Sequence, residues 1–139
     1  MNRLPTATLG FQLIQRTNGP LTQTDIVRFA GAGGDFNPLH HDPEFARQAG
    51  FEKPIAMGQF SAGLLAAWLT DWCGVENLVS LEVRFTAPLP IGATLEFSGT
   101  VTALDPESQG QTIADLELTG SSAGKPVVTG IAQVRITTD

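Results

Sequence analysis

At 139 residues with 42% apolar side chains, the chain fits a single domain spanning 1–139, and a domain of this size encloses roughly two-thirds of its unfolded surface. A lone cysteine, Cys73, excludes an intramolecular disulfide framework, and a net charge of −6 with basic residues scattered singly argues against a nucleic-acid partner. Met1–Pro5 lacks the apolar run of a signal peptide and no segment reaches the about 18 apolar residues of a membrane span, so a cytoplasmic protein with no membrane partner is expected.

Thr8 to Arg16 reads as a first strand. A helix opens near Leu21, with Thr22 or Thr24 able to cap it and Asp25 in its first turn; Ile26, Phe29 and Ala30 supply the apolar spacing, and Gly31, Gly33 and Gly34 end it. Asp42 to Gly50 reads as a short helix, with Asp42 as N-cap, Pro43 in the first turn and Gly50 as the stop. Gln59 to Cys73 is apolar nearly all round, with Phe60, Leu64, Trp68 and Trp72 at i+4, which predicts a buried helix ended by Gly74.

Beyond residue 76 the pattern changes to strands. Val79 to Phe85 and Leu95 to Val101 alternate, and Ile113–Thr119 and Val127–Thr137 follow. The intervening turns are marked by Pro88, Pro90 and Gly92, by Asp105–Gly110, and by Ala123–Lys125. The four strands are expected to form an antiparallel meander that, with the first strand, curls around the buried helix. A small curled sheet leaves an edge exposed, which predicts pairing with a second copy, a homodimer.

Between the first two helices lies Gly34-Asp35-Phe36-Asn37-Pro38-Leu39-His40. It holds one of the chain's two histidines, and none follows His41. Asn37-Pro38 is a turn signal, so the Asp35 carboxylate and the His40 imidazole can be brought to one point, an arrangement suited to activating water. Neighbouring side chains of an extended segment point opposite ways, which assigns His40 to the site and His41 to the surface. Met57-Gly58-Gln59 opens the buried helix. The unpaired N–H groups there suit a developing negative oxygen, although a glycine needed only for tight entry into the helix fits equally. Arg47, Lys53 and Arg84 are candidates for a phosphate-bearing ligand.

Three patterns are set aside. Gln59-Phe60-Ser61-Ala62-Gly63 misses the first glycine of a nucleophile elbow, and no histidine lies downstream. Gly31-Ala32-Gly33-Gly34 is not a dinucleotide fingerprint. His40, His41, Asp42 and Glu44 match no metal-ligand spacing, so no metal is expected.

The run Phe29-Ala30-Gly31-Ala32-Gly33-Gly34-Asp35-Phe36-Asn37-Pro38-Leu39-His40-His41-Asp42-Pro43-Glu44-Phe45-Ala46 resembles the hydratase-2 motif of MaoC-like (R)-specific enoyl-CoA hydratases and of 3-hydroxyacyl-thioester dehydratases. The likeness continues through Gly58, the buried helix and Val83-Arg84-Phe85-Thr86-Ala87-Pro88. It implies an α+β hot-dog fold, a long helix wrapped by an antiparallel sheet and usually dimeric. It also implies Asp35 and His40 as catalytic pair, the Gly58 N–H as oxyanion donor, and Asn37 as the residue shaping the turn. The implied reaction is reversible hydration of a trans-2-enoyl thioester to its (R)-3-hydroxyacyl form. The thioester is carried by CoA or acyl carrier protein, and no cofactor is needed beyond that carrier. The chain departs from the family in having Met57 where His-Gly-Met is common, and Ala66 about where some relatives place a serine. A hot-dog thioesterase, or a non-catalytic acyl-binding subunit of a hetero-oligomer, is the alternative.

Overall fold

The computed structural model describes residues 3–107 and 110–138; Met1, Asn2, Asp139 and the Ser108-Gln109 part of the predicted 105–110 turn lie outside it. Three helices are built where local signals place them. Helix α1, Gln23–Gly33, begins with a reciprocal cap: the Thr22 hydroxyl accepts from the Asp25 N–H, and the Asp25 carboxylate accepts from the Thr22 N–H. Of the two candidate caps, Thr22 is therefore the one used. The helix ends at Gly34, whose φ of 73° turns the chain out of the helical path. Helix α2, Pro43–Gln48, is capped by Asp42, which accepts from the N–H groups of Glu44 and Phe45. Helix α3, Gly58–Cys73, is the long central element and stops at Gly74.

Five antiparallel strands follow the order β1-β3-β4-β5-β2, with β1 Arg16–Asn18, β2 Leu78–Phe85, β3 Leu95–Pro106, β4 Thr112–Ser122 and β5 Lys125–Ile136. Strands β3, β4 and β5 form the expected meander. Strand β2 departs from it: it pairs with β5 at the far edge, not with its chain neighbour β3. The 86–94 connection therefore crosses the end of the sheet, passing the start of α3 on the way. The predicted first strand is also corrected. The regular ladder holds only Arg16–Asn18, and residues 10–13 run beside β3 through isolated bonds from the Gly10 N–H to the Val101 oxygen and from the Leu13 N–H to the Gly99 oxygen. Gly10 has a φ of 83°, and this left-handed bend breaks the ladder.

The inner face of the sheet wraps α3. Leu65 and Leu69 of the helix are fully enclosed together with Phe97, Leu116, Val128, Ala132, Val134 and Ile136 of the strands. Trp68 stacks on Phe97 with ring centroids 5.7 Å apart, and its indole N–H donates to the Ile14 carbonyl at 2.9 Å, which holds the N-terminal run over the helix. The helix is not enclosed all round as expected: Gln59, Gly63, Ala67 and Asp71 form an exposed i+4 stripe. Asp71 pairs with Arg16 at 2.7 Å. Gly63 and Ala67 count as apolar in a pattern, but they are too small to demand burial.

Strand β2 is exposed in an unusual way. Leu81, Val83 and Phe85 lie directly opposite Ala132, Gly130 and Val128, so they face the helix side of the sheet. Yet Val83 is 37% and Phe85 48% exposed. Among the described residues β2 pairs only with β5, which leaves its outer edge open. Among the described residues no helix is long and apolar enough to cross a membrane.

Candidate active site

The loop after α1 is folded by its own side chains. The Asp35 carboxylate accepts from the Asn37 N–H at 3.4 Å, and the Asn37 amide oxygen accepts from the Leu39 N–H at 3.0 Å. Asn37 thus starts a tight 3₁₀ turn, Pro38–His40, closed by the His40 N–H donating to the Asn37 carbonyl. This turn, not an extended segment, is what separates the two histidines: His40 points inward at 8% exposure, and His41 is at the surface. Gln23, at the start of α1, donates to the His40 carbonyl at 3.0 Å and fixes the turn from behind.

The His40 ring is held by main chain. Its Nδ1 lies 2.7 Å from the Ile55 carbonyl oxygen. A carbonyl can only accept, so Nδ1 carries a hydrogen, and in the neutral ring the lone pair is on Nε2. That nitrogen lies 3.4 Å from Asp35 Oδ2. With the ring neutral, two acceptors face each other. A small molecule with two O–H donors satisfies both, and so does a proton on Nε2. The carboxylate is half-exposed, so solvent reaches the gap.

The same Ile55 joins this pair to the start of α3. Its N–H donates to the Leu39 carbonyl at 3.3 Å, and the next N–H, of Ala56, donates to the Leu89 carbonyl at 2.8 Å. The 55–57 segment is therefore clamped between the histidine turn and the 86–94 connection. It delivers Met57, buried at 3%, as the N-cap of α3, and Gly58 as its first residue. Met57 supplies no side-chain cap, so the positive end of α3 is left open at this point. A cavity of about 290 Å³ opens there, lined by Ile55, Met57, Gly58, Ser61, Phe85 and Val127 among others. A Cβ on Gly58 would lie 3.1 Å from the Phe85 ring, so the glycine also leaves room for that ring.

The sequence candidates thus divide. Asp35, Asn37 and His40 share one turn, and Met57 and Gly58 adjoin it through Ile55. Lys53 lines an open groove of about 700 Å³ that shares Ala87, Pro88 and Val127 with the Gly58 cavity; Lys125, which the sequence did not single out, lines it too, as does Glu96. Arg84 lies on the outer face of β2 beside Glu82 and Ile131. Arg47 is exposed in the last turn of α2 and lines none of these spaces. Ala66 is half-buried on α3, and its carbonyl accepts from Thr70. Gln23, Ile55, Ser61 and Phe85 were missed. Ser61 had appeared only inside a failed nucleophile motif.

The sequence profile of the MaoC-like domain matches residues 6–125. The chain belongs to that family. This MaoC-like chain is 36% identical over 118 residues to an (R)-specific enoyl-CoA hydratase of Rhodospirillum rubrum, covering 84% of its own length and 80% of the relative's. Over 118 residues it is 35% identical to a 3-hydroxybutyryl-CoA dehydratase of Methylorubrum extorquens, covering 84% and 73%. Among solved structures, the (R)-hydratase of Aeromonas caviae superposes with a TM-score of 0.78 at 27% identity, covering 94% of this chain and 97% of that one. The ChsH1–ChsH2 complex of Mycobacterium tuberculosis gives 0.79 at 26%, covering 94% and 99%. The α+β hot-dog architecture is that of these MaoC-like neighbours.

Proposed function

We propose that this MaoC-like protein catalyses reversible addition of water to trans-2-enoyl thioesters, forming (R)-3-hydroxyacyl thioesters. The observation that carries the reading is the 3.4 Å gap between Asp35 Oδ2 and His40 Nε2, with the ring fixed by the Ile55 carbonyl. Water bridging the two atoms from their solvent-open side donates to both acceptors. As its oxygen bonds to C3, the pair takes up one proton and the C2–C3 π electrons move toward the thioester, placing negative charge on its oxygen. The Gly58 N–H, at the open positive end of α3, stabilises that oxygen. The charge then collapses, C2 takes the proton back, and the carbonyl is restored. Water adds with no net oxidation, so the reaction asks for no redox cofactor. The relatives named as hydratase and as dehydratase support the reaction in its two directions, and the (R)-specific name of the hydratase supports the product's hand.

CoA or acyl carrier protein carries the acyl group. The groove with Lys53 and Lys125 is the anion-accepting path to the cavity, although Glu96 moderates its charge. The open β2 edge, with Val83 and Phe85 uncovered beside the site, supports a homodimer in which the second copy closes this face. The neighbour ChsH1–ChsH2 is a complex of two proteins, so pairing with a different MaoC-like chain is the other outcome of a mass measurement. We place the protein in the cytoplasm.

Purified protein mixed with crotonyl-CoA tests the reading. Loss of the conjugated thioester absorbance without release of free thiol is the expected result. Thiol release from a saturated acyl-CoA identifies a thioesterase instead. Acyl-CoA binding without turnover identifies an acyl-binding subunit.

A further inference from the structure

We infer that the Ser61 hydroxyl is a second donor to the substrate's thioester oxygen, beside the Gly58 N–H. The inference rests on the hydratase reading and adds to it a residue that the motif does not contain.

Ser61 is 2% exposed, on the first full turn of α3. Among the described residues lining the Gly58 cavity it alone has a polar side chain; Ile55, Ala56, Met57, Phe85, Ala87, Pro88, Leu89 and Val127 are its apolar company. A serine within a helix commonly turns its hydroxyl back to the carbonyl four residues earlier. Thr70 does this in the same helix, donating to the Ala66 carbonyl at 2.9 Å. Ser61 makes no such bond to Met57 among the described residues. Nor is its oxygen sealed in the core, because no fully enclosed side-chain polar atom among the described residues lacks a partner. The hydroxyl therefore opens into the cavity that the residue lines, with its hydrogen free to donate.

Its position fits the charge that develops there. Residues i and i+3 of a helix lie on one face, and a helical side chain leans toward the N-terminus. Ser61 therefore leans back over the turn begun by Gly58. A neutral donor in an apolar cavity at the positive end of a helix favours a negative oxygen more than a neutral carbonyl. Its contribution grows as the enolate forms, so it acts on kcat more than on KM.

The test compares wild type with Ser61→Ala and Ser61→Thr, using crotonyl-CoA turnover and the absorption band of bound 2,4-hexadienoyl-CoA in the Asp35→Asn background. Donation to the thioester oxygen polarises the dienoyl system and moves its band to longer wavelength. Ser61→Ala, a good helix former, is expected to fold, to lower kcat by ~10²-fold and to reverse part of the band shift. Ser61→Thr keeps the hydroxyl and restores both. A Ser61→Ala enzyme with wild-type kcat, or one changed only in KM, overturns the inference while leaving the hydratase reading intact. Wild-type protein that does not hydrate crotonyl-CoA removes that reading, and the inference with it.

Discussion

The Ile55 carbonyl oxygen lies 2.7 Å from His40 Nδ1, and this contact decides which ring nitrogen faces Asp35. Because Nδ1 must donate, the neutral ring turns its basic nitrogen to the carboxylate and to whatever lies between them. Asp35→Asn replaces one acceptor by an amide, and His40→Ala removes the imidazole. Each is expected to lower kcat for crotonyl-CoA by ~10²–10⁴-fold. Asp35 is half-exposed, and among the described residues its carboxylate meets the Asn37 N–H and the His40 ring, each at 3.4 Å, so the melting temperature of Asp35→Asn should stay close to wild type. A folded Asp35→Asn protein with unchanged turnover removes the carboxylate from the mechanism.

The two readings of Gly58, backbone donor and close packing, separate with a pair of variants. Gly58→Ala keeps the N–H but puts a methyl 3.1 Å from the Phe85 ring, which is half-exposed and able to shift. Gly58→Pro removes the N–H at the first helical position, where proline is tolerated, and Met57 before it already has the extended φ −65°, ψ 142° that a following proline demands. A donor role predicts that Gly58→Pro loses a further ~10²–10³-fold in kcat beyond Gly58→Ala. Equal losses in the two variants, with folding checked by circular dichroism, would assign the glycine to packing alone.

Much of this arrangement was legible in the sequence because it is local. The Thr22–Asp25 cap, Asp42 before Pro43, and the Asn37-Pro38 turn each lie within a few residues of the atoms they bond. The place of β2 was not legible, because its alternation is the same whether it pairs with β3 or β5, and only the tertiary path of 86–94 decides. The orientation of His40 was reached for a different reason from the one that holds: a 3₁₀ turn, not strand alternation, turns it inward. Its orienting partner is a main-chain oxygen at position 55, which no side-chain pattern can report. Ser61 was hidden for a related reason. A serine in an apolar helix is identified as functional only when its unused hydroxyl and the cavity before it are seen together.

The uncovered helix-side face of β2 predicts a test of assembly. Val83→Lys places a charge on that face, next to Phe85 and the site. The mass by light scattering should fall from twice 14.7 kDa to 14.7 kDa, and turnover should fall with it as the cavity opens to water. Ile131, 60% exposed on the opposite face of β5, is the control: Ile131→Lys should leave the mass unchanged. A Val83→Lys protein that keeps a doubled mass places the interface elsewhere.

Cys73 closes α3 and is 2% exposed, and burial pushes its thiol from the ordinary 9.0 up to about 11. The folded state thus holds its proton where the unfolded chain releases it. Between pH 9 and 11 the native state binds more protons than the unfolded one, so unfolding free energy falls as pH rises through that window and is unaffected by this group below it. Cys73→Ser should flatten the alkaline side of a plot of urea midpoint against pH. The same burial predicts that at pH 8 an aromatic disulfide reagent reacts with the thiol slowly in native protein and quickly in urea. Fast reaction in the native state, at the rate of a small free thiol, would mean that the end of α3 opens readily to solvent and that the pH argument for this cysteine does not hold.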